Sequence, residues 1–131
     1  MQAINAYQNA LRFNPVGVTA RFEICSAYCQ VHMISEARKA LQDVEPYLYS
    51  DKLIAKYYRN LGYILIEEKN YIPAACCYQY SLYLDPEQQM AKQEILFIVN
   101  QAGFDVMDAI RDRQNVEKIL SNSGIPLLAS T

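Results

Sequence analysis

The chain has 131 residues, enough for one domain and too few for two ordinary ones. Apolar residues make up 52% and charged residues 20%, which excludes wholesale disorder. Twelve basic against 14 acidic residues leave a net charge of −2, so nothing favours a nucleic acid or an anionic membrane as partner.

The opening segment MQAINAYQNA has neither the basic nor the apolar stretch of a secretory signal. The longest apolar runs, 61–66 and 95–99, fall far short of the ~20 residues of a membrane span. The cytoplasm is therefore the expected location. Few glycines and many Ala, Leu, Gln, Glu and Lys favour helix, and no strand pattern occurs.

In chain order, a first helix over 2–14 is closed by Asn14-Pro15. A second lies within 18–34. Ser35 is placed as the N-cap of a helix over 36–46, and Ser50 or Asp51 as the cap of the next. Asn70 opens a helix whose first turn tolerates Pro73. Asp85-Pro86 reads as an N-cap followed by proline at the first helical position. Gly103 precedes a last amphipathic helix over 105–122, and Gly124 and Pro126 stop it. About seven helices in antiparallel pairs result.

The helices repeat. Ala3, Tyr7, Ala10 and Leu11 match Ala74, Tyr78, Ser81 and Leu82, which lie 71 residues on. A weaker copy, Ala37, Leu41 and Val44, stands 34 residues after the first and 37 before the third. The period is 34, with three extra residues near 46–50. The preceding segments, 22–28, 59–65 and 93–99, also align, each apolar at i, i+3, i+4 and i+7. Gly62, Cys25, Ala74 and Ala37 are small where two helices must approach closely, since a larger side chain would hold the backbones apart.

With Tyr58, Leu61, Gly62 and Leu65 in one helix, then Ala74, Tyr78, Ser81 and Pro86 after it, the chain resembles the tetratricopeptide repeat family over residues 2–101. Tyr58 stands in the family's usual tryptophan slot. The middle copy departs further, with Arg21 in that slot, Cys25 in place of Gly and no closing proline. The resemblance implies an all-α fold of antiparallel helix pairs stacked in a right-handed superhelix. Its parts would be an array over 1–122, made of an orphan second helix (2–14), two repeats (18–49 and 52–86), the first helix of a last repeat (87–101) and a capping helix (105–122). The tail, 123–131, is assigned no partner.

No catalytic motif emerges. Cys25 and Cys29 at i, i+4, adjacent Cys76 and Cys77, and the single His32 lack the spacing of a zinc site. Cβ atoms at i, i+4 lie ~5–6 Å apart, whereas a disulfide wants ~3.8 Å. Small apolar thiols in packing positions are expected, with no metal and no cofactor. His32 falls at a helix end, where exposure or an interaction with the helix C-terminus is expected. Phosphate loops, nucleophile elbows and metalloprotease motifs are lacking, and the chain is not expected to be an enzyme.

In the family the first helix of each pair lines the concave side, where partners bind. Carried over by register, that implies a binding groove of Phe22, Glu23, Lys56, Arg59, Asn60, Tyr63, Phe97 and Asn100. Aromatic residues and Arg are favoured anchors, and Asn reads an extended backbone. The carboxylate clamp of chaperone-binding members is not expected. Asn60 fits its middle position, but Phe22, Ser26, Met90 and Glu94 replace the rest. Glu23, Glu67 and Glu94 against Lys56 and Arg59 sum to −1, which selects no strongly acidic partner. The expected function is capture of a peptide or protein segment. The alternative is a structural, self-associating segment of a longer repeat protein. The helix over 2–14 would leave the face of Ala3, Tyr7 and Ala10 uncovered, to be buried by a second copy in a homodimer.

Overall fold

Alternation of short polar turns with long apolar-striped segments leaves the backbone only helices to form. In the computed structural model, which describes residues 2–13 and 17–129, eight α-helices account for the regular structure. They are α1 (Gln2–Phe13), α2 (Val18–Gln30), α3 (Ile34–Gln42), α4 (Asp51–Glu67), α5 (Tyr71–Leu84), α6 (Gln89–Ala102), α7 (Asp105–Ile110) and α8 (Arg113–Asn122), with a 3-10 turn at Glu45–Tyr47. The described residues contain no strand. The Asn14-Pro15 stop and the side chain of Ala3 lie outside the described residues.

The chain divides into two units, Met1–Leu48 and Tyr49–Thr131, at the turn where the repeat carries its extra residues. In the first unit α2 packs on both α1 and α3. Ile4, Phe22, Ile24, Cys25, Leu41 and Val44 are buried. In the second, α5 is the central helix and packs on α4, α6, α7 and α8. Its unbroken run from Ala74 to Tyr78 is wholly buried, because neighbours cover it on several sides.

Two helix ends share one backbone solution, 37 residues apart. After α2, His32 takes φ 60° and the Met33 N–H donates to the Tyr28 carbonyl at 2.9 Å. After α4, Lys69 takes φ 62° and the Asn70 N–H donates to the Leu65 carbonyl at 2.8 Å. The next residues, Met33 and Asn70, both have φ −91° and ψ 73° and open α3 and α5. This left-handed closure recovers carbonyls that the helix end would otherwise strand. It turns the chain back on itself at the same point of each repeat.

Several helix starts differ from the sequence expectation. The helix expected over 36–46 is α3, capped at Met33 rather than Ser35 and followed by the 3-10 turn containing Pro46. Of the two candidates for α4, Ser50 is the cap, its Oγ accepting from the Leu53 N–H at 3.2 Å. Asp85 does not cap α6. Its carboxylate lies 3.7 Å from the Arg59 guanidinium, and Gln88 caps instead, Oε1 accepting from the Met90 N–H at 3.4 Å. The single helix expected over 105–122 is two, which raises the count from about seven to eight. Asp112 is extended and accepts from the Gln114 N–H at 3.0 Å, so a new helix starts there. Asn115 Nδ2 donates to the Ala109 carbonyl at 3.0 Å and satisfies an acceptor left free by the break.

Among the described side chains of α1, Ile4 is the buried one, while Tyr7 is half-buried and Ala10 exposed. The buried stripe is thus rotated from the expected Tyr7–Ala10 face, and α2 covers it.

The tail is held. Tyr58, fully buried on α4, donates its hydroxyl proton to the Pro126 carbonyl at 2.5 Å and accepts from the Leu128 N–H at 2.7 Å. Its ring meets Tyr57 at 5.4 Å and Tyr80 at 4.7 Å, both edge-on. Arg113 of α8 lies over the rings of Tyr80 and Tyr83, at 5.8 and 4.7 Å. These tyrosines fasten α8 and the tail to α4 and α5.

Candidate functional site

The helical register of α4 places Lys56, Arg59, Asn60 and Tyr63 on one side within about two turns, and that of α6 places Met90, Glu94, Phe97 and Asn100 on one side within about three. Both helices pack on α5. Tyr78 of α5 is buried. Its ring lies against Gly62 of α4, and its hydroxyl is influenced by Glu94 of α6 and by Tyr63 and Arg59 of α4. Burial first, and then the Glu94 charge, push the Tyr78 phenol well above its ordinary range, so it stays protonated. Tyr78 thus packs on α4 at Gly62 and lies within electrostatic range of Glu94 on α6.

Large apolar residues of α4 and α6 are open to solvent. Tyr63 is 39% exposed, Phe97 44% and Met90 63%. Asn100 is exposed and Lys56 half-exposed. Asn60 is partly buried and donates its Nδ2 to the Lys56 carbonyl at 2.9 Å, so that donor serves α4 itself.

Arg59 is mostly buried. Its side chain is 16% exposed, its Nη1 has no hydrogen-bond partner among the described residues, and its ion pair with Asp85 spans 3.7 Å. Burial lowers its pKa, and Asp85 and Tyr78 oppose that shift. The guanidinium therefore ties the end of α5 to α4 and sets positive charge near Tyr78, rather than reaching out as a surface anchor.

Phe22 and Glu23 belong to the first unit. Phe22 is buried and offers no surface to a partner, and Glu23 is half-buried. The phenylalanine follows the apolar stripe into the core of its own unit. Met90 and Glu94, which register places on the same surface of α6 as Phe97, are exposed and half-buried respectively.

The first unit has a cavity of about 240 Å³ lined by Leu11, Ile24 and Tyr28 with Arg21, Glu36, Lys39 and Asp43. Its charges are of both signs and select no ligand. All four cysteines are free and buried, and the described residues hold no group of three or more His, Cys, Asp and Glu placed to bind a metal. The Cys25 thiol is raised by its hydrogen bond with Cys29 and by burial, and burial pushes Cys76 up to about 12. Neither is a ready nucleophile. Among the described residues no helix is long and apolar enough to cross a membrane.

A scan against protein-family models finds no match, and searches of curated proteins and of solved structures find none either.

Proposed function

We propose that this chain is a protein-interaction module of tetratricopeptide type, a short array of helix pairs with right-handed superhelical stacking. It captures a peptide or protein segment on the face shared by α4 and α6. One observation carries the reading: Tyr63, Met90 and Phe97 are exposed on two helices that both pack on α5. Exposed aromatic side chains on rigid helices are the usual anchors of such surfaces. Lys56 and Asn100 at the margin supply hydrogen bonds to an extended backbone. The reading involves no catalytic step, cofactor, metal or nucleic acid, and it places the module in the cytoplasm.

Selection from a displayed library of random peptides tests it. Sequences enriched on the protein should bind it and should lose binding to the Tyr63→Ala, Phe97→Ala double variant, whose helical circular dichroism stays normal. Binding that survives in the double variant, or no enrichment at all, would reject this face.

A second reading, a self-associating segment of a longer repeat protein, rests on Phe13 of α1, which is 91% exposed. A second copy that covered α1 would bury it. Light scattering at micromolar concentration with and without Phe13→Ser separates this homodimer from a monomer.

A further inference from the structure

The contact between Tyr58 and the tail reads backbone and ignores side chains. The hydroxyl donates to the carbonyl of residue 126 and accepts from the N–H of residue 128. Two groups of an extended chain, two residues apart, are thereby held by one atom. The segment suits such a grip. Pro126 has no N–H to leave unpaired, and proline biases Ile125 before it towards extended backbone. Ile125 is buried, while Pro126 and Leu127 are exposed, so a single apolar anchor accompanies the two hydrogen bonds. Tyr57 and Tyr80 pack edge-on against the Tyr58 ring and fix the hydroxyl before any chain arrives.

We propose that Tyr58 is a second docking station, about 100° around α4 from Arg59, for an extended, uncharged segment with Ile-Pro-Leu-Leu chemistry. The tail of this chain occupies it in cis and is an exchangeable strap. A short tether supplies an effective concentration of about millimolar, so occupancy in cis requires only weak intrinsic affinity. Once the Ile125 anchor is loosened, the same station accepts an equivalent segment in trans. This station is independent of the face on α4 and α6, and Tyr63 and Phe97 take no part in it.

The probe is a fluorescent peptide with the sequence of residues 124–131, and the receptor is the full chain. Ile125→Asp breaks the anchor in cis and leaves Tyr58 in place. It should bind the peptide at least tenfold more tightly than the unaltered chain, and adding Tyr58→Phe should remove that gain. Equal binding by the single and double variants, or none by Ile125→Asp with normal helicity, overturns the proposal. Should Ile125→Asp fail to fold, hydrogen exchange on the unaltered chain decides. The Leu128 amide should be protected, and unlabelled peptide in large excess should speed its exchange. Protection that does not change with peptide overturns the proposal equally.

Discussion

The ring of Tyr78 occupies the space that a side chain at position 62 would need. A Cβ built on Gly62 would lie 2.6 Å from Tyr78 Cε2 and 2.9 Å from Cδ2. Both residues are buried, so neither has room to move away. The matching positions of the first unit hold Cys25 and Leu41, also buried, where a slightly larger residue on one helix accompanies a smaller one on the other.

Gly62→Ala should therefore destabilise the protein by about 1–3 kcal/mol through overpacking. Tyr78→Leu, which copies the first unit's pairing, should recover part of that loss when combined with Gly62→Ala. Urea denaturation of the two single variants and the double variant gives the coupling directly. Strict additivity would mean that Tyr78 is not what confines position 62.

Lys69 holds a left-handed backbone at φ 62° and its side chain is exposed. Glycine adopts that conformation without the Cβ clash. Lys69→Gly should raise stability by about 0.5–1 kcal/mol, and Lys69→Val should lower it. A chemical denaturation series on the three proteins checks both signs.

Stability should fall in alkali. Cys76 is pushed from 9.0 up to about 12 by burial, Cys25 is raised by its hydrogen bond with Cys29 and by burial, and Tyr78 is raised above 10.0. Each group is neutral when protonated, and the folded state holds the proton more tightly than the unfolded one. Their contribution is complete below about pH 9 and is lost as the pH rises through the window of about 9 to 12. The urea midpoint should stay level from about pH 7 to 8.5 and drop beyond. A level midpoint up to about pH 11 would show that these groups are not shielded.

Melting with and without EDTA should give the same curve, because the four thiols are buried in packing positions and no ligand group of three or more gathers among the described residues. Loss of one equivalent of zinc together with the fold would reverse the reading of Cys25, Cys29, Cys76 and Cys77.

The helices that bear the candidate face were legible as helices because Tyr58, Leu61 and Leu65, and Ile95 with Ile98, recur at helical spacing, and burial follows that spacing. The start of α6 was not legible. Asp85-Pro86 carries the local signature of a cap, but the Asp85 carboxylate lies near Arg59, and only the packing of α5 on α4 brings the two together. Phe22 went astray for a related reason: register names the face on which a residue sits, while neighbouring elements decide whether that face is covered.

Sequence alone determined the all-helical class and the small residue at Gly62, because each rests on helical spacing or on a period visible in the letters. Tertiary structure alone decided the fate of the tail. Tyr58 and Pro126 are 68 residues apart, and no periodicity links a lone hydroxyl to a backbone carbonyl. It also decided the break between α7 and α8, where Asp112 and Asn115 trade one helical turn for side-chain hydrogen bonds. Such choices compare nearly equal local energies, and the packing of distant segments tips them.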